Sequence, residues 1–296
     1  MTGPAAAGTQ GGPARRPARG RVLAVSAAAL VVAVLAGTAI ALAGGGGNSG
    51  PRAGAQQARP QPASRARPAT PVTPAQDRPG PVLLVPGYGG STGALDQLAA
   101  SIRAAGRKAT VLHLAGSGTG SLVPDAARLN AAVTRALARG APSVDVIGYS
   151  AGGVVALLWA RDYDGAARAR RIITLGSPFH GTELAAAAEA IAPGECPAAC
   201  RQLVPGSALL NGLKVTSPVG LPRWLSLWST GDLVVMPADS ARLAGAINVP
   251  VQSVCPAEVI THSQLPVNPV VVTMVLRSIG RGPLRAPSPA VCPHQG

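Results

Sequence analysis

From residue 81 onward, continuous apolar runs of strand length alternate with Ala/Leu-rich segments of helical spacing. This alternation constrains the fold more than any other feature of the chain. The runs are PVLLVP at 81–86, KATVLHL at 108–114, SVDVIG at 143–148, RIITLG at 171–176, WLSLWS at 224–229 and VPVQSV at 249–254. Between them, 94–105, 125–139, 151–161 and 269–279 carry apolar residues at helical spacing. Strands apolar on both faces and separated by helices predict an α/β fold, a mostly parallel sheet of about six strands with helices on both faces. Ligands of such sheets bind outside the carboxyl ends of the strands. A chemical group is therefore a candidate only where it sits just after a strand.

The first 80 residues lack this pattern. Residues 1–21 form a basic N-terminus, and 44–80 form a Pro/Arg/Gly-rich linker with too little apolar surface to offset the entropy of ordering. Between them, residues 22–43 carry no charge and span about 33 Å as a helix, enough for a bilayer core. Arg15, Arg16, Arg19 and Arg21 precede this run, and the next positive charge is Arg52. The positive-inside rule then keeps the N-terminus in the cytoplasm and exports the domain at 81–296. Two readings stay open: an uncleaved single-pass membrane anchor, or a signal peptide cleaved after Ala43, which would secrete the protein. The net charge of +14 is driven by Arg and rides with heavy Ala, Gly and Pro usage. No aromatics interleave with the arginines, so nucleic acid is not expected as a partner.

Two pentapeptides fit the nucleophile pattern G-x-S-x-G, GYSAG at 148–152 and GGSTG at 89–93. Ser150 stands where SVDVIG hands over to the helix beginning AGGVVALLWA, which is where a nucleophile elbow belongs. That helix start also directs N–H groups at a developing oxyanion. Ser91 lies further from its strand, inside the loop VPGYGGSTG. This loop has a strand immediately upstream and glycines that permit close backbone approach. The backbone N–H groups of Tyr88 and Ala151 are thus the expected oxyanion-hole donors, and Ser91 the expected cap of the helix near Gly93. A third glycine run, GSGTGS at 116–121, has no following Lys and reads as a loop at the rim of the site.

A serine nucleophile needs a base, and the base needs an orienting carboxylate. His294 lies in the polar tail and His113 inside an expected strand. His180, in LGSPFHGTE, follows a strand and is a candidate substrate-lining residue, whereas His262, in EVITHSQLP, follows the last strand and precedes the final helix. Asp232, in STGDLVVMP, lies just past the strand ending at Ser229. Ser150, Asp232 and His262 are the expected catalytic set.

The four cysteines, Cys196, Cys200, Cys255 and Cys292, all lie in the region placed outside the membrane, and an even count there suggests disulfides. Three pairings are possible. The short loop favours Cys196–Cys200, which leaves Cys255–Cys292. The spacing C-x-x-x-C has no matching second pair, so no metal site is expected. The insertion between the strands near 176 and 224 carries Leu209 and Leu213. It is open to two readings, a lid or acyl-binding wall at 184–222, or a crossover covering the sheet.

Together VPGYGGS, GYSAGG, LGSPFHGT, CPAAC followed by RQLVPGSALLNGL, GDLVVMP and THSQLP resemble the α/β-hydrolase fold. More narrowly, they resemble the secreted triacylglycerol lipases and esterases of high-GC, actinobacterial-type bacteria, over about residues 81–280. The resemblance implies hydrolysis of carboxylic esters through an acyl-enzyme on Ser150, Asp232 and His262. It also implies a lipid or other ester as substrate and no organic cofactor, and a monomer is expected. The same triad serves acyl transfer in the cell envelope and thioester cleavage, and a surface-tethered binding protein without turnover is a further alternative.

Overall fold

The structure, a computed structural model, describes residues 74–213 and 223–293. The apolar segment 22–43, most of the linker, residues 214–222 and His294 lie outside the described residues. Among the described residues, no helix is long and apolar enough to cross a membrane.

Six strands form one sheet: β1 (Val82–Val85), β2 (Ala109–Val111), β3 (Val144–Tyr149), β4 (Ala169–Leu175), β5 (Arg223–Trp228) and β6 (Ile247–Pro250). They lie in the order β2-β1-β3-β4-β5-β6, and every pair is parallel. The helices are α1 (Gly93–Ala104), α2 (Leu122–Ala138), α3 (Ala151–Asp162), α4 (Gly165–Arg168), α5 (Glu183–Ile191), α6 (Ala198–Gln202), α7 (Ala208–Gly212) and α8 (Pro269–Ser278). Strands β1 and β4 are buried at every position, as near-continuous apolar runs of a doubly covered sheet must be. Leu95, Leu98 and Ile102 of α1 join Val271, Met274 and Val275 of α8 in one core layer. On the other face, Leu129 and Val133 of α2 pack with Val154, Val155 and Trp159 of α3. Leu210 and Leu213 belong to that second layer, and Leu209 packs against it.

Three local expectations are corrected. VPVQSV is not one strand: β6 runs over Ile247–Pro250, and Val251–Ser253 coil into a 3-10 turn. Pro250 has no N–H to carry the ladder onward. His113 stands beyond the end of β2 and is exposed, rather than packed within a strand. The residue capping α1 is Thr92, with no side-chain cap, so Ser91 does not cap that helix.

At the amino edge of the sheet, Asp145 is fully buried between charged neighbours. Arg170 Nε donates to its Oδ1 and Arg107 Nη2 to its Oδ2, both at 2.9 Å. The remaining Arg170 donors reach the carbonyls of Gln76, Ile279 and Gly280. Arg171 donates to the carbonyls of Ser278 and Gly282 and to Gln76 Oε1. Burial, reinforced by the nearby Arg170 charge, pushes the Arg171 pKa down to about 10. Gln76 and Arg78, which the sequence reading assigns to the linker, are thereby tied to the sheet, Arg78 through its carbonyl to Ser143 Oγ. Buried guanidinium groups require acceptors, and these carbonyls supply them.

The disulfides are Cys196–Cys200 and Cys255–Cys292, the pairing favoured by the short loop.

Candidate active site

Ser150 directly follows β3 and immediately precedes α3, with φ +53° and ψ −128°. Positive φ is uncommon outside glycine and is strained for a side-chain-bearing residue. The turn holds because its ends are fixed: Ser150 N–H donates to the Leu175 carbonyl at 2.9 Å, and Gly153 N–H donates to the Ser150 carbonyl at 3.0 Å. Close approach completes the elbow. A Cβ at Gly152 would stand 2.2 Å from the Val85 carbonyl oxygen. Ser150 is therefore delivered at the carboxyl edge of the sheet, largely buried by the turn that carries it.

The loop after β1 runs against this serine. A Cβ at Gly87 would lie 2.8 Å from Ser150 Cβ. Neither the Tyr88 N–H nor the Ala151 N–H has an acceptor among the described residues. Both belong to segments that border Ser150, and Ala151 N–H is the first orphan donor of α3.

Asp232 and His262 come together from the loops after β5 and β6. His262 Nδ1 lies 2.6 Å from Asp232 Oδ2, with both side chains buried. A carboxylate only accepts, so Nδ1 is the donor of this bond, and in the neutral imidazole that tautomer puts the lone pair on Nε2. The other Asp232 oxygen accepts from the N–H groups of Val234 (2.8 Å) and Val235 (2.9 Å). That double bond fixes which oxygen faces the imidazole. His262 sits in a short turn closed by Thr261 and Gln264, where Thr261 N–H donates to Gln264 Oε1 at 2.8 Å.

Tyr149, beside the serine, joins the two halves. Its ring centroid lies 5.1 Å from that of His262, and its hydroxyl donates to the His262 carbonyl at 3.3 Å. Burial and the Asp232 charge push the Tyr149 pKa up to about 12, so the ring stays neutral. No hydrogen bond joins the Ser150 hydroxyl to His262 in this structure; such contacts commonly tighten only when substrate binds.

The remaining candidates make other contacts. His180 hydrogen-bonds through Nδ1 with the Ser240 carbonyl at 3.1 Å. It lines a cavity of about 740 Å³ with Glu183, Asp239, Arg242 and Asn248, and none of Ser150, Asp232 and His262 borders that cavity. Leu209 and Leu213 belong to the helix-side core described above. Among the described residues, no group of His, Cys, Asp and Glu is arranged to hold a metal ion.

The sequence reading missed two supports. Thr182 Oγ1 donates to the Val234 carbonyl at 2.6 Å and accepts from Met236 N–H at 3.1 Å, pinning the loop that carries Asp232. Ser229 Oγ donates to the Ile260 carbonyl at 2.6 Å and accepts from Gln252 Nε2 at 2.9 Å, bracing the approach to His262. Their only sequence signal is position, Thr182 within LGSPFHGTE and Ser229 at a strand end.

No protein-family model matches the chain, and no curated protein matches it in sequence. Solved structures do match in shape. Lipase B of Aspergillus fumigatus superposes with a TM-score of 0.59 at 18% identity, covering 70% of this chain and 54% of that one. The lipase BlEst2 of Bacillus licheniformis in its propeptide form gives 0.55 at 18% identity, covering 74% of this chain and 55% of that one. This chain spans about half the length of both structures. The parallel six-stranded sheet, its helices on both faces and these matches establish that the domain has the α/β-hydrolase fold.

Proposed function

We propose that this domain is a serine hydrolase of carboxylic esters, with Ser150 as nucleophile, His262 as general base and Asp232 as its orienting acid. The observation that carries the reading is the buried Asp232–His262 pair beside a serine held at positive φ on a strand–helix turn. Ser150 Oγ attacks the ester carbonyl carbon while His262 Nε2 takes the hydroxyl proton. The oxyanion that forms rests on the N–H groups of Tyr88 and Ala151. Collapse expels the alcohol, protonated by His262, and leaves an acyl-serine. Water then attacks that ester with the same base, releasing the acid and regenerating Ser150. Each N–H donor contributes roughly 3 kcal/mol to the transition state by comparison with other hydrolases.

The substrate class is lipid or other apolar esters. Leu233 (75% exposed) and Val234 (39%) directly follow Asp232, and Tyr88 is 43% exposed in the loop against Ser150. Apolar side chains left in water around a reactive serine suit an acyl chain better than a polar substrate. Export of the domain, by anchor or by cleaved signal, fits its two disulfides, which persist in oxidising compartments.

A fluorophosphonate probe, applied to wild type and to Ser150→Ala, Ser91→Ala and His262→Ala, tests the assignment alongside assays on short- and long-chain esters. We expect labelling and turnover in wild type and Ser91→Ala, and neither in Ser150→Ala. Labelling that persists in Ser150→Ala overturns the assignment, and a wild type that neither labels nor turns over overturns the enzyme reading.

A further inference from the structure

Next to the loop against Ser150 lies a second layer that nothing in the ester chemistry itself requires. The loop at 115–121 packs its Gly118 on Gly90: a Cβ at Gly118, where φ is +69°, would lie 2.5 Å from Gly90 N and 2.7 Å from Gly90 Cα. Gly89 N–H donates to the Gly118 carbonyl at 3.0 Å. The two glycines directly after Tyr88 are therefore packed on a neighbour that follows a different strand.

That neighbour is itself held from two sides. Buried Asp125 of α2 accepts Ala115 N–H through Oδ1 at 2.9 Å. Helix α6 holds the other end: Ala199 N–H donates to the Thr119 carbonyl at 3.1 Å, Gln202 Oε1 accepts Leu122 N–H at 2.8 Å, and Gln202 Nε2 donates to Ser121 Oγ at 3.0 Å. Five residues make a helix too short to persist alone. The Cys196–Cys200 disulfide closes this one, with both sulfur-bearing residues buried.

We propose that Gly118 and Gln202 are positioning residues that set the oxyanion donor Tyr88 N–H, and that the Cys196–Cys200 disulfide stabilises this buttress. The inference rests on the ester-hydrolase reading and deepens it. A CxxxC loop in the crossover, remote in sequence from Ser150, thereby governs the rate of acyl transfer. A displaced donor weakens the transition state more than the bound ester, because the charge it meets exists only there.

The test compares steady-state ester hydrolysis by the full chain with Gly118→Ala, Gln202→Ala, Gln202→Glu and the Cys196→Ser/Cys200→Ser double variant. Gly118→Ala is expected to lower kcat by roughly 30-fold, with KM within about threefold. Gln202→Ala and the double variant are expected to lower kcat by about three- to tenfold. Gln202→Glu keeps an acceptor for Leu122 N–H and can accept from the Ser121 hydroxyl, so it should recover most of the rate. The pH profile of kcat should keep its shape in every variant, since Asp232 and His262 are untouched. A merely structural role would lower the active fraction, seen by titration with the fluorophosphonate, and leave kcat per labelled site unchanged. That result, or no rescue by Gln202→Glu, overturns the proposal even if Gly118→Ala fails to fold. A wild type that neither labels nor hydrolyses removes the ester-hydrolase reading and this inference with it, whereas an active wild type with unchanged variants removes only this inference.

Discussion

Gly152 packs so tightly on Val85 that a methyl group on it would stand 2.2 Å from the Val85 carbonyl oxygen and 2.5 Å from that of Pro86. The obstacle is backbone, which cannot rotate away. Gly152→Ala must therefore push the start of α3 off β1 and lose the register of the elbow. We expect destabilisation of about 3 kcal/mol or more and loss of ester turnover. Thermal melts and ester assays on purified protein check both.

Asp232→Asn separates charge from geometry. Oδ1 is claimed by the N–H groups of Val234 and Val235, so the amide oxygen should take that place and turn its NH₂ toward His262 Nδ1. The imidazole must then present a lone pair at Nδ1 and carry its proton on Nε2, the wrong tautomer for a base. The expected fall in kcat is about 10⁴-fold with KM little changed. A crystal structure of the variant would check the orientation.

Asp145→Ala leaves Arg170 buried without its counter-ion at the opposite edge of the sheet. Removing one partner of a buried pair typically costs about 3–5 kcal/mol. Urea unfolding should show this loss, while kcat of the protein that remains folded stays within about twofold of wild type, because no site residue touches Asp145.

Tyr149 gives an alkaline signature. Its pKa is raised from 10.0 to about 12, so between those values the native state holds a proton that the unfolded chain releases. Stability attributable to this group is full below pH 10 and falls as pH rises toward 12, by roughly 2–3 kcal/mol in all. In a phenolate absorbance titration, a late ionisation near pH 12 should be present in wild type and vanish in Tyr149→Phe.

Much of this architecture is legible in the sequence because burial on both faces leaves long apolar runs. SVDVIG and RIITLG announce β3 and β4 for that reason, and the glycines around Ser150 announce the close approach of strand and helix. What stays hidden has no local signature. Asp145 and Arg170 look like ordinary charges at strand starts, and only the three-dimensional fold brings them together with Gly280. The end of β6 was misplaced because VPVQSV is apolar enough for a strand, and only the lost N–H of Pro250 marks the change. Gly118 could be read as a loop glycine but not as the neighbour of Gly90, since backbone contacts between loops leave no pattern in either one. Thr182 escaped for the same reason, its partners lying about fifty residues away at Val234 and Met236.

The arginines that hold Gln76 lie at the amino edge of the sheet, whereas Ser150 opens from the carboxyl edge. Gln76 is thus held at the edge of the sheet opposite Ser150. Joining residue 74 to a bead, a carrier protein or any other support would leave the exposed Leu233, beyond the carboxyl end of β5, facing solution. A graft into the loop at 232–236 would instead cover it. The guanidinium clamp consequently gives the domain a handle at the edge away from Ser150, and a cargo placed there leaves the Ser150 edge clear.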